Sequence, residues 1–291
     1  MSDSDGHAPH ADALLQLIGT PGHDSGPPTA DSWNQVPGLN RTIEGEIIPR
    51  LMMLFDNHVS GAAALADYDE EDSVSMDLDD FVQLVLKNDA DVVCRHLEQL
   101  REEGRSLPSL YLHLLAPAAR RLGELWEEDE CTFTSVTLGI SRMHQVLLRF
   151  SPFFCANCAE DADGAHSALI VPAPGEQHTF GLLMLVEFFR REGWRVWSGA
   201  PRNSDELFAL IETERFDIVG CSVATERRLD VLPDVIRRIR ERSKNKDVKV
   251  IVGGRLFSEQ PGLAKSVGAD ATAVDGVDAV RRAEELVGRV Q

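Results

Sequence analysis

Positive charge is scarce in this chain. Only 29 of the 291 residues are Lys or Arg, against 48 Asp and Glu, and the formal net charge is −19. A surface of this sign is repelled by phosphate backbones and by anionic lipid headgroups. We therefore expect no nucleic-acid binding by the chain alone and no attachment to membranes.

Long apolar runs are missing as well, although 43% of the residues are hydrophobic. No run reaches the roughly 20 apolar residues of a membrane-spanning helix, and no basic segment precedes an apolar stretch as in a secretory signal. Five cysteines, an odd number, do not indicate a disulfide framework. Cys155 and Cys158 lack the second pair that a zinc site needs. These absences predict a cytoplasmic protein.

The first half of the chain is predicted to be helical. Residues 1–40 contain no Lys or Arg and are interpreted as a disordered acidic arm. Residues 41–155 form a helical region whose core, about 77–151, has the apolar spacing of a four-helix bundle. Its third helix runs from Leu107 to Trp126, with a kink expected at Pro117. His113 and His144 are interpreted as surface or core residues of this bundle.

After a linker at 152–166, the pattern changes to alternating strands and helices. Strands are predicted at 167–173, 194–198, 217–222, 248–252 and 271–274, and helices at 179–192, 203–214, 227–242, 258–267 and 277–288. This alternation predicts a flavodoxin-like, doubly wound parallel sheet of order 2-1-3-4-5 at 167–291. The fold class is therefore multidomain, a helical bundle followed by a Rossmann-like α/β domain. Ligands bind such sheets outside the carboxyl ends of the strands.

The loop after the first strand carries a candidate metal ligand. His178 can present an imidazole nitrogen to a metal, and Glu176 can accept the other ring N–H and fix the tautomer. Gly181 lets the following helix approach the sheet or a ligand closely. The loops after the third and fourth strands meet this loop at the same sheet edge, and they contain Ser222-Val223-Ala224-Thr225 and Gly253-Gly254.

These motifs resemble the cobalamin-binding domains of methionine synthase, corrinoid methyltransfer proteins and light-sensing regulators. Their fingerprint is Asp-x-His-x-x-Gly, then Ser-x-Leu or Ser-x-Thr, then Gly-Gly. The resemblance implies that His178 is the lower axial ligand of cobalt and that Ser222 hydrogen-bonds the displaced base. It also implies that the two glycines line the pocket of the nucleotide tail. The implied cofactor-binding set is Glu176, His178, Thr179, Gly181, Ser222, Val223, Thr225, Gly253, Gly254 and Trp126.

The bundle extends this resemblance. In the same families a four-helix bundle caps the upper face of the corrin, which implies that Trp126 covers the upper axial position. Glu176 stands where the family has Asp, and Ala224 stands where a larger residue is common. Val136-Thr137 replaces the Glu-His pair of the light-sensing regulator CarH. Haem is therefore the alternative cofactor, and the hydroxo, methyl or adenosyl form of cobalamin stays open.

The whole arrangement resembles the AerR/PpaA antirepressors of purple photosynthetic bacteria. This implies a cobalamin-binding transcriptional regulator, responsive to light or cofactor supply, that is not an enzyme. Its implied partner is a photosynthesis-gene repressor of the CrtJ/PpsR type. The basic stretch at 237–249 is a candidate surface for such a partner. The alternatives are a haem-binding redox sensor on the same scaffold and a corrinoid carrier protein for methyl transfer.

Overall fold

The computed structural model describes residues 77–154, 166–174, 176, 178–199, 201, 203–224 and 229–288. The predicted acidic arm, the helical region before residue 77, Cys155, Cys158 and Thr225 lie outside these ranges. Within them, no helix is long and apolar enough to cross a lipid bilayer.

Four helical stretches form the first part of the described chain, which confirms the bundle. They are α1 (Leu78–Lys87), α2 (Ala90–Glu102), α3 (Leu107–Leu110) continued by a π-helical turn (Tyr111–Leu115) into α4 (Ala116–Glu127), and α5 (Phe133–Phe154). Asp77 caps α1 because its side chain accepts a hydrogen bond from the Asp79 N–H. The apolar stripes of these helices, including Phe81, Val85 and Leu97, are fully buried.

The helix changes type just before Pro117, the position of the predicted kink. The Ala116 N–H donates to the carbonyl of Tyr111, five residues back, which is the hydrogen bond of a π-helix. Pro117 has no N–H to donate, so the regular pattern cannot continue through it unchanged. Helix α5 extends to Phe154, three residues beyond the predicted end of the bundle core.

The second part is a five-stranded parallel sheet of order β2-β1-β3-β4-β5, as predicted. The strands are β1 (Ser167–Pro172), β2 (Arg195–Ser198), β3 (Ile218–Ser222), β4 (Lys249–Gly253) and β5 (Ala271–Ala273). The helices are α6 (Phe180–Arg191), α7 (Ser204–Thr213), α8 (Leu232–Arg242), α9 (Arg255–Glu259), α10 (Leu263–Ser266) and α11 (Gly276–Val287).

Two predicted helices of this part differ from the structure. The helix expected at 227–242 begins only at Leu232, with Pro233 in its first turn, where a missing N–H costs no hydrogen bond. The helix expected at 258–267 is divided into α9 and α10 by Pro261-Gly262. Proline interrupts a helix because it has no backbone N–H to donate, and glycine does so because its backbone is flexible. The apolar spacing continues across Pro261-Gly262 and therefore did not indicate this interruption.

The sheet separates two apolar cores. Leu169, Val219 and Val250 lie in the core beneath α7, α8 and α10. On the opposite face, Ile170 and Ile218 belong to a core that continues without interruption into the bundle. The bundle and one face of the sheet are therefore held together by shared apolar burial.

Candidate functional site

A tight turn after β1 places the candidate ligand at the carboxyl edge of the sheet. The Ala173 N–H donates to the Ser222 carbonyl at 2.9 Å, and the Glu176 N–H donates to the Ala173 carbonyl at 2.8 Å. The chain thus stays next to β3 before it enters α6. His178 follows this turn with 68% of its side chain exposed.

Glu176 orients His178. The side chain of Glu176 is only 3% exposed, and its Oε1 lies 2.6 Å from His178 Nδ1. An ionised carboxylate only accepts, so Nδ1 carries the proton and Nε2 carries the lone pair of the neutral ring. The His178 backbone N–H also donates to Oε1, at 3.2 Å. A histidine held by a carboxylate in this way is arranged as a metal ligand.

The second oxygen of Glu176 joins this loop to the loop after β3. Oε2 accepts a hydrogen bond from the Ala224 N–H at 2.9 Å. The carboxylate of Glu176 therefore serves His178 and the β3 loop at the same time. Sequence reasoning missed this contact, because a backbone N–H 48 positions away leaves no signal in the residue pattern.

The three candidate glycines differ in backbone conformation and in the space that a side chain would have. Gly254 has φ +107°, and a Cβ there would lie 2.3 Å from the Val223 carbonyl oxygen, so the backbone itself requires glycine. A Cβ at Gly253 would be in ordinary contact, 3.6 Å from the Ala273 carbonyl oxygen. A Cβ at Gly181 would meet no described atom within 4 Å. Gly181 thus faces open space and does not serve close packing of α6 on the sheet.

The remaining candidates lie around the same edge. Ser222 ends β3 half-buried and pairs with Pro172 and Gly253 on either side. The side chain of Val223 is fully buried in the core beneath α7 and α8, so it contributes to the edge through its backbone. Thr179 is half-buried at the start of α6 and makes no side-chain cap.

Trp126 lies at the end of α4 with 52% of its surface exposed. The neighbouring acids locate this end of the bundle relative to the sheet. The pKa of Arg255, which follows Gly254, is raised first by its hydrogen bond to Glu259 and further by the charges of Glu127 and Glu124. The acidic end of α4 is therefore within electrostatic range of the loop after β4.

His144 is a second residue that brings the bundle to this edge, and sequence reasoning had interpreted it only as surface or core. It is 9% exposed on α5, and its ring centroid lies 5.3 Å from that of Phe180, the first residue of α6. Burial lowers the pKa of His144 to about 4. The imidazole is uncharged at neutral pH as a result.

The candidate basic surface at 237–249 is largely engaged within the fold. Arg240 donates to the Gly268 carbonyl and to Asp270, both at 2.9 Å. Arg242 donates to Glu212 at 2.6 Å, and Lys244 donates to the Thr213 carbonyl at 2.8 Å. These side chains join the C-terminal end of α8 and the residues after it to α7 and to the loop before β5.

The residues at the edge fit a bulky metal cofactor. His178 supplies an oriented nitrogen, and the position of a Cβ at Gly181 is open space. In the described part of the chain, no group of three or more His, Cys, Asp and Glu is placed to hold a metal ion. His178 and Glu176 thus stand as one nitrogen ligand with its orienting carboxylate.

Comparison with known proteins agrees with this geometry. Two family models, each described as a B12 binding domain, match residues 77–149 and 166–284. A Rhodobacter capsulatus protein, described as an uncharacterized 20.5 kDa protein in the bchF-crtJ intergenic region, is 31% identical over 163 residues. This match covers 56% of the present chain and 84% of that protein.

A solved structure has the same fold. The monomethylamine corrinoid protein of Methanosarcina barkeri superposes with a TM-score of 0.59 at 17% identity, over 72% of this chain and 98% of that one. At this identity the likeness concerns the fold alone, a helical bundle followed by a five-stranded parallel sheet. The sequence relative and the two family models carry the assignment further: the chain belongs to the B12 binding domain family, as an AerR-type cobalamin-binding protein.

Proposed function

We propose that this protein is a cobalamin-dependent regulator that acts through protein contacts on a repressor of the CrtJ/PpsR type. The observation that carries the proposal is the 31% identical relative, whose name places it beside crtJ. The oriented His178 at the carboxyl edge of the sheet supports the cofactor part.

Each residue of the site has a separate role in this proposal. His178 would bind the cobalt through Nε2, and Glu176 would hold the imidazole and the β3 loop in place. Trp126, at the end of α4, would cover the other side. Bound cobalamin would supply an exchangeable or light-sensitive upper ligand. A change there would alter how α4 and α5 meet the sheet, and a surface that follows such a change can control a partner.

Capture of a purified CrtJ/PpsR-type repressor tests the proposal. Full-length protein loaded with hydroxocobalamin is immobilised and compared with the cofactor-free form, in the dark and after illumination. We expect repressor capture to depend on cobalamin and to be lost in His178→Ala. His113→Ala, which changes an exposed histidine of the bundle, is the matched control and should behave as the unchanged protein. Equal, negligible capture in every state would contradict the antirepressor function.

The enzyme-linked alternative is a corrinoid carrier for methyl transfer. The present chain shares its fold with the Methanosarcina barkeri corrinoid protein. Loading with methylcobalamin separates the two functions. A carrier would deliver the methyl group to a thiol acceptor in the presence of a partner methyltransferase, whereas a regulator would retain it in the dark. Haem gains no support from the family models or the relatives, and retention of haemin in place of cobalamin would revive that alternative.

A further inference from the structure

His144 has an unusual setting at the junction of the bundle and the sheet. Its ring packs against Phe180, and Phe180 follows His178 by two residues. His144 is thus a polar side chain of the bundle beside the loop that carries the proposed cobalt ligand. Around it the shared core is apolar, with Met143, Val146 and Leu147 buried on the same helix.

The Nε2 atom of His144 is buried and has no hydrogen-bond partner in the part of the chain that the structure describes. Buried polar atoms are rarely left in this state, because they lose their hydrogen bonds to water without replacement. Packing alone would be served better by Leu or Phe at this position. An unsatisfied nitrogen next to a binding site indicates a partner that arrives with the ligand.

The chemistry of the ring restricts that partner. Burial keeps His144 uncharged at neutral pH, and a neutral imidazole offers one N–H donor and one acceptor nitrogen. A carboxylate or phosphate would favour a protonated ring, which this environment opposes. An uncharged primary amide, which donates and accepts, suits the neutral ring. The rim of the corrin ring carries several primary amide side chains.

We propose that His144 hydrogen-bonds an amide side chain at the rim of the corrin ring when cobalamin occupies the site. The inference rests on the proposed cobalamin site at His178. It assigns to the bundle a polar contact with the cofactor in addition to cover by Trp126. His144 would then select the amide-bearing corrin over a ring whose rim carries carboxylates.

Histidine-to-leucine variants of the full-length chain test this contact. His144→Leu is compared with His96→Leu, a matched control within the bundle. His96 also has a buried Nε2 without a partner among the described residues, and its ring centroid lies 6.2 Å from that of Phe81 in α1. Affinities for methylcobalamin and hydroxocobalamin are measured by absorbance titration, and thermal unfolding is measured without cofactor.

We expect both leucine variants to unfold at the same temperature as the unchanged protein or higher, because each loses a buried unsatisfied nitrogen. Only His144→Leu should bind both cobalamins more weakly, by roughly three- to tenfold. His144→Gln, which again offers a donor and an acceptor at this position, should recover part of the affinity. If His144 had only a structural role, its replacement would not lower the affinity for cobalamin while leaving the unfolding temperature unchanged or higher.

Other results would overturn the proposal. Unchanged affinity in His144→Leu and His144→Gln would make His144 a packing residue. A loss confined to hydroxocobalamin, with methylcobalamin unaffected, would make it an upper axial ligand instead of a rim contact. If the folded, unchanged protein retains neither cobalamin, the cofactor function fails and this contact fails with it. Failure of the cofactor function can be told apart from failure of the His144 contact alone. If only the contact fails, the unchanged protein still binds cobalamin and His178→Ala does not.

Discussion

Glu176 has one carboxylate that serves two loops. Oε1 holds the ring of His178 and Oε2 holds the Ala224 N–H, while the side chain stays almost wholly buried. A buried carboxylate is stable only when its oxygens are hydrogen-bonded, and here both are. The proposed ligand and the β3 loop are therefore fixed by the same side chain.

Gly254→Ala should destabilise the protein by about 2 kcal/mol or more, since it combines a left-handed φ with a backbone clash at Val223. Gly181→Ala is the control, because its added Cβ meets no described atom within 4 Å. Its stability should change by no more than about 1 kcal/mol. Urea unfolding measures both, and equal losses in the two variants would contradict this assignment of the glycines.

Glu192 makes the stability depend on pH. Burial raises its pKa from 4.5 to about 7, with Arg191 opposing and Glu284 reinforcing the shift. The folded state therefore holds this proton more tightly than the unfolded state, and the contribution of Glu192 to stability falls as pH rises from about 4.5 to about 7.

Glu192→Gln should remove this dependence. We expect the variant to gain about 1–2 kcal/mol over the unchanged protein at pH 8, and much less at pH 5. Urea unfolding of both proteins at the two pH values measures the difference. A gain of the same size at both values would show that Glu192 does not bind its proton more tightly in the folded state.

At the scale of elements, a side chain of α5 completes the end of α1. Arg142 Nη1 donates to the carbonyls of Val85 and Leu86, each at 2.8 Å, in the last turn of α1. These carbonyls have no partner within their own helix, and a cation near a helix C-terminus is also favoured by the helix dipole.

Arg142→Met should therefore cost about 1–3 kcal/mol in unfolding free energy. Arg149→Met on the same helix is the matched control. Arg149 is 47% exposed and forms surface ion pairs with Asp91 and Glu98, so its loss should cost less than about 1 kcal/mol. If Arg149→Met proves as costly as Arg142→Met, the carbonyl contacts are not what stabilises this end of α1.

The elements of the sheet domain were largely predictable, because each strand and helix carries its own apolar spacing and five such alternating units suit the flavodoxin-like doubly wound order. The Glu176–His178 pair was predictable too, since the residues are two positions apart. The Glu176–Ala224 bond and the contact of His144 with Phe180 were not. Both join distant segments, and they depend on side-chain reach and packing angle, which local spacing does not encode.

At the scale of the whole molecule, three aromatic rings connect the bundle to the sheet domain. The ring of Phe154 stacks on that of Tyr111, with 4.6 Å between the centroids, and packs edge-on against Phe188 of α6, with 5.1 Å between the centroids. Phe154 is 4% exposed and belongs to the core shared by both parts. We therefore expect the described parts to unfold together in one cooperative transition.

Phe154→Ala should lower the unfolding free energy by about 3 kcal/mol or more, because it leaves a cavity in the shared core. Unfolding is followed by far-ultraviolet circular dichroism and by the fluorescence of the four tryptophans, which include Trp126 in the bundle and Trp194 and Trp197 in the sheet domain. The two signals should coincide in the unchanged protein. Separate transitions there would mean that bundle and sheet are independently stable.

The central claim is that His178 binds the cobalt of cobalamin. Electron paramagnetic resonance of the protein loaded with cobalamin and reduced to Co(II) tests it directly when the histidines carry ¹⁵N. A bound ¹⁵N imidazole splits each cobalt line into a doublet, whereas the ¹⁴N of dimethylbenzimidazole gives a triplet. We expect the doublet in the labelled protein and its loss in labelled His178→Ala. A triplet in the labelled, unchanged protein would contradict the assignment of His178.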